Sequence, residues 1–158
     1  PLAEVPVARL AFVNRRPDLL VLDQEGVLGH YDLSGAARSS ERPHGRDILT
    51  INVDVDRIWG VSGGQYCALR LPEGDRCCIL WIDIHAGEVA AEVPDLHPAA
   101  WVDADAGLIL EPARSAAVLE REMSGEERRV LRALPDGQWV SFGQNGLFDT
   151  SDGAAGVM

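Results

Sequence analysis

Leu10-Ala11-Phe12-Val13, then Asp18-Leu19-Leu20-Val21-Leu22, then Gln24-Glu25-Gly26 and Val27-Leu28-Gly29-His30-Tyr31-Asp32-Leu33-Ser34-Gly35 is the stretch on which the fold turns. Its apolar runs are four to five residues long and bounded by Asp, Gly and Ser. That is too short for helices and the right length for half-buried strands joined by turns. Aromatic and β-branched residues flank the turns, as pleated surfaces prefer.

The same grammar recurs. Ile48-Leu49-Thr50-Ile51 is followed by Asp54-Val55-Asp56 and Ile58-Trp59-Gly60-Val61. Trp101-Val102 is followed by Asp103-Ala104-Asp105 and Leu108-Ile109-Leu110. Leu131-Arg132-Ala133-Leu134 is followed by Pro135-Asp136-Gly137, Gln138-Trp139-Val140-Ser141-Phe142, Gln144-Asn145-Gly146 and Leu147-Phe148-Asp149. Pro-Asp-Gly and Asn-Gly read as hairpin turns, because both tolerate positive φ. The turn aspartates Asp18, Asp56, Asp105 and Asp136 lie 38, 49 and 31 residues apart. The acidic strand endings Asp32, Asp83, Glu120 and Asp149 lie 51, 37 and 29 apart. Both sets average about 39, close to the ~40–45 residues of a four-stranded propeller blade.

The expectation is one all-β domain over residues 1–158, with propeller-like repeats near 7–37, 48–96, 98–125 and 128–154. The long second repeat reads as an extended hairpin, Gln65–Leu71 against Arg76–Ile84. Residues 113–134 are rich in helix formers, with Leu119 and Met123 four apart. Ser124-Gly125 breaks that pattern, and the repeat register predicts strand, turn, strand.

Charge narrows the partners. Fourteen basic residues, every one Arg, face twenty-five acidic ones, for a net charge of −11. No third of the chain is basic, so neither the phosphate backbone of a nucleic acid nor an anionic membrane surface finds a cationic stripe. No apolar run approaches the ~20 residues of a membrane span, and no secretory leader is legible. Cys67, Cys77 and Cys78 are odd in number with two adjacent, which suits a reducing cytoplasm better than a disulfide framework. The missing initiator Met suggests a piece of a longer product.

Three motifs bear on chemistry. Gly60-Val61-Ser62-Gly63-Gly64 matches the G-x-S-x-G nucleophile elbow, which has meaning only between a strand and a helix. Here both flanks read as strands, and only Asp95 and His97 follow as acid and base. Ser62 is therefore the single catalytic candidate, set against a Gly-rich hairpin turn. The cysteines with His85 lack paired C-x₂₋₄-C spacing, and adjacent strand residues face opposite ways, so they are expected to be buried apolar thiols with no metal. Asp103-Ala104-Asp105-Ala106-Gly107 starts like a calcium loop but has Arg114 at its twelfth position. No metal and no cofactor are expected. Trp59 and Trp139 each follow a turn aspartate by three residues and are expected to be equivalent, either as core or as aromatics at a binding mouth.

The strand endings Tyr31-Asp32-Leu33-Ser34-Gly35, Trp81-Ile82-Asp83-Ile84-His85-Ala86-Gly87-Glu88 and Phe148-Asp149 resemble those of WD-repeat and quinoprotein-like β-propellers. The stretch from Leu134 to Gly153 resembles the last-blade segment of bacterial multidomain regulatory proteins. The resemblance implies a non-catalytic interaction or sensing module of a cytoplasmic bacterial regulator. The partner would be a protein or further blades of the same ring. The alternatives are a serine hydrolase using Ser62 and a structural subunit completing a partner's propeller. Seven blades would need roughly 280–315 residues, so the chain stands either as a small propeller or as part of a larger ring.

Overall fold

The computed structural model describes residues 7–13, 16–33, 44–134, 137–146 and 148–150. Among them the chain forms strands throughout and no α-helix. The first sheet runs β1 (Val7–Phe12), β2 (Asp18–Asp23), β3 (Val27–Asp32) and β4 (His44–Thr50), each antiparallel to the next. The second runs β5 (Arg57–Gly60), β6 (Tyr66–Glu73), β7 (Arg76–Asp83) and β8 (Glu88–Leu96). The third has six strands: β9 (Trp101–Asp103), β10 (Leu108–Ala113), β11 (Ala117–Arg121), β12 (Glu127–Ala133), β13 (Trp139–Gly143) and β14 (Phe148–Thr150). The all-β, blade-like fold expected from the repeats is the one found. Residues 113–134 hold the end of β10, then β11 and β12 with turns between them, and the extended hairpin of the second repeat is β6 on β7, with Glu73 opposite Arg76.

The strands are grouped differently from the sequence repeats. Ile48 and Leu49 belong to β4, the outer strand of the first sheet, and do not open the second. The repeat drawn at 128–154 makes no sheet of its own. Its first strand is β12, and β13 and β14 extend the third sheet. The reason is hairpin closure: the Leu134 amide donates to the Gln138 carbonyl at 2.7 Å and Ala133 pairs with Trp139, returning the chain beside β12. The first strands of the three sheets begin at residues 7, 57 and 101, so the structural spacings are 50 and 44.

Alternation along β6 and β7 places the second sheet in the middle. Cys67, Leu69, Leu71, Cys78 and Ile82 pack toward Leu20, Leu22 and Leu28 of the first sheet. Ala68, Cys77, Ile79 and Trp81 pack toward Val102 and Ile109 of the third. The first strands gather at one edge. Val13 bridges Gly60 in parallel, and a Cβ on Gly60 would sit 2.7 Å from the Phe12 carbonyl oxygen, so only glycine permits that approach. Arg70 on β6 holds Asp56, in the link from the first sheet to the second, by two hydrogen bonds, 2.8 and 2.6 Å. Its remaining nitrogen donates to the carbonyls of Pro98 and Ala100.

Candidate functional site

Ser62 sits in the turn between β5 and β6, a strand-to-strand hairpin. The positive φ angles of that turn belong to Gly63 and Gly64, at 90° and 73°, so Ser62 carries none of the strain of a nucleophile elbow. The Ser62 amide donates to the Ala104 carbonyl at 2.7 Å, and the Arg16 guanidinium donates to the Gly63 carbonyl at 3.1 Å. The turn thus ties the gathered first strands together.

Beside it lies an open cavity of about 550 Å³, lined by Ala11, Phe12, Val13, Arg16, Ile58, Trp59, Gly60 and Ala104. β1 and β5 supply its walls. Trp59 is half-buried, its row continuing across the second sheet through Ala68, Trp81 and Ala91. Phe12 is 69% exposed. Arg16 is paired with the buried Asp18 at 2.9 Å. The arrangement offers an aromatic wall, an aliphatic floor and one guanidinium at the rim, which suits holding an apolar side chain. Trp139 is not part of it. It lies on β13 and is 39% exposed, so the expected equivalence with Trp59 fails. The cause is again the pairing of β13 back onto β12, which puts Trp139 on a fifth strand where Trp59 is on a first. Fully buried among the tryptophans is Trp81, whereas Trp101 is 55% exposed. Phe12 and Arg16 do not stand out in the sequence. In an uninterrupted run such as Leu10-Ala11-Phe12-Val13 both strand faces are apolar, so alternation cannot say which is covered.

The other motifs resolve into structure. Asp103 Oδ1 accepts the amides of Asp105 (3.0 Å) and Ala106 (3.1 Å), and Asp83 Oδ1 those of His85 (2.8 Å) and Ala86 (2.9 Å). These carboxylates organise their own turns. Cys77 and Cys78 lie in different core clusters on opposite faces of β7. Burial pushes the Cys67 thiol up to about 12 and the Cys78 thiol up to about 11, which keeps both protonated at neutral pH. Cys77 donates to the His97 carbonyl at 3.1 Å.

No family model matches the sequence, and no curated protein matches it. A solved structure described as "COPII on membranes, outer coat vertex" does match, with a TM-score of 0.51 and 13% identity over 92% of this chain. The chain spans 43% of the length of that one. At this identity the likeness speaks to fold, and with the three stacked meanders it makes the chain a β-propeller-like protein.

Proposed function

We propose that the chain is a non-catalytic interaction or sensing module of a cytoplasmic bacterial regulatory protein or complex, and that its partner is a protein. The observation that carries this reading is the set of large apolar side chains held out on rigid strands: Leu10, Phe12 and Trp101, each more than half exposed. Leu10 and Phe12 lie together on β1 and Trp101 on β9, and large apolar side chains left exposed on strands mark places where a partner packs. The cavity between Phe12 and Trp59 adds a concave place for an apolar anchor from that partner. The matched coat structure is described as a vertex, an assembly of parts, which agrees with an interaction role.

The rival class is a hydrolase using Ser62. A photo-reactive residue in place of Trp59 is expected to crosslink a protein partner in bacterial cells. Treatment with a fluorophosphonate probe is expected to leave Ser62 unlabelled. Labelling that Ser62→Ala abolishes overturns the interaction reading in favour of the enzyme.

A further inference from the structure

Three of the cavities differ in charge as well as in size. One of about 360 Å³ beside the Gly26 turn has Asp23, Glu25 and Asp54 in its wall, against the single cation of Arg9. Another, of about 420 Å³ between β8 and the β11–β12 turn, has Glu92, Asp95 and Glu126 against Arg121. The 550 Å³ cavity between β1 and β5 has no carboxylate among the described residues of its wall, and its one charged lining residue is Arg16. In a chain of net charge −11 that is the exception.

Arg16 is held so that its positive end faces out. Its Nε donates to Asp18 Oδ2 at 2.9 Å, yet the Asp18 side chain is 5% exposed and the Arg16 side chain 45%. His30 Nε2 lies 3.4 Å from the same oxygen, on the inner side. The pair therefore turns its carboxylate inward, and a molecule arriving at the rim meets the guanidinium. Arg16 Nη1 also donates to the Gly63 carbonyl at 3.1 Å, so two bonds fix the planar fork and little rotamer freedom is left to lose on binding. Such a fork matches the geometry of a carboxylate.

Resting on the reading of the chain as an interaction module, we propose that this cavity takes an acidic peptide segment of the protein partner. An apolar side chain of the segment enters between Phe12 and Trp59, and the carboxylate of a neighbouring Asp or Glu meets Arg16. A Lys or Arg beside the anchor would instead bring like charge to the charged group of the wall. The repulsion from the overall −11 charge is screened beyond ~8 Å at physiological salt, so the local contact at the rim decides the preference.

Selection of phage-displayed random heptapeptides on the 158-residue chain tests this. The enriched peptides are expected to carry one large apolar residue with Asp or Glu within two positions of it. Replacing that acid by its amide in a fluorescently labelled enriched peptide is expected to weaken binding about tenfold, as for a hydrogen bond to a charged group. On the variant Arg16→Gln with Asp18→Asn, which leaves no unpaired buried carboxylate, the same replacement is expected to change nothing. Should that variant misfold, the acid-to-amide and acid-to-lysine peptides on the wild type decide alone. Enriched peptides without an acidic preference, no enriched peptide, or affinity indifferent to the amide overturn the proposal. So does binding that Trp59→Ala leaves unchanged, since it places the peptide elsewhere. Each of these results leaves the interaction reading intact, because that is decided by crosslinking at position 59 in cells.

Discussion

At the scale of single residues the four tryptophans do different work, although sequence spacing makes two of them look alike. Trp81 is fully buried between the second and third sheets, flanked across the strands by Ala68 and Ala91, which make room for the indole. Its Nε1 has no hydrogen-bond partner among the described residues, so its contribution is apolar contact. Trp81→Ala should therefore cost ~3–5 kcal/mol, as for other buried aromatics. Trp139→Ala, at a position more than a third exposed, should cost less than Trp81→Ala. Trp59→Ala should fall between them. Urea denaturation of the three variants measures this, and equal losses at positions 59 and 139 would restore the equivalence that their spacing implied. The cysteines follow the same logic of burial. Cys67 is fully covered and its thiol is pushed up to about 12, so native protein should resist thiol reagents that react at once after unfolding.

At the scale of elements, the Asp56–Arg70 pair ties the residue before β5 to β6, and its pH dependence has a definite sign. The hydrogen bonds from Arg70 hold the Asp56 carboxyl below the ordinary aspartate value of 3.8. A carboxyl with a depressed folded value stabilises the fold above its unfolded value, and the contribution is lost as pH falls through the folded one. The melting temperature should therefore drop as pH falls below 3.8, and part of that drop should be missing in Asp56→Asn. Asp83, held low chiefly by the Ala86 amide, acts in the same window, so the remainder should survive. Parallel melting curves for wild type and Asp56→Asn would show that the pair adds nothing. Asp56 also explains how far the sequence could be read. Strand lengths, turns and three of the four acidic third-strand landmarks were legible: Asp32, Asp83 and Glu120 fall on the third strand of their sheets, whereas Asp149 lies on β14, the sixth strand of the third sheet. The turn aspartates were not equivalent markers. Asp18 opens β2, Asp56 precedes a first strand and Asp105 follows one, whereas Asp136 lies outside the described residues. A hairpin and a sheet-to-sheet link are both a few polar residues between apolar runs, so composition alone does not say whether the next strand stays or leaves. The cavity was half legible. Trp59 stood out as an aromatic, but Phe12 and Arg16 reach it only through the parallel approach of β1 to Gly60, 47 residues from Val13.

At the scale of the molecule, the three sheets are not equally protected. β6 and β7 are covered on both faces, with Leu69 and Ile79 fully buried on opposite sides. The first and third sheets each share a core cluster with the second sheet on one face only. Opening β6 from β7 requires separating both core clusters, whereas β1, or β13 with β14, can part while one cluster stays whole. Local opening free energies should therefore fall from the middle of the stack outward. Native-state hydrogen exchange reads this gradient directly. The slowest amides should lie in the paired run from Cys67 to Leu71 against Cys78 to Ile82. Those of β14 should exchange at least about tenfold faster, equivalent to ~1.4 kcal/mol in opening free energy. If β14 proves as protected as β6, the third sheet is held by something other than its inner face, and the middle sheet is not the stable centre of the fold.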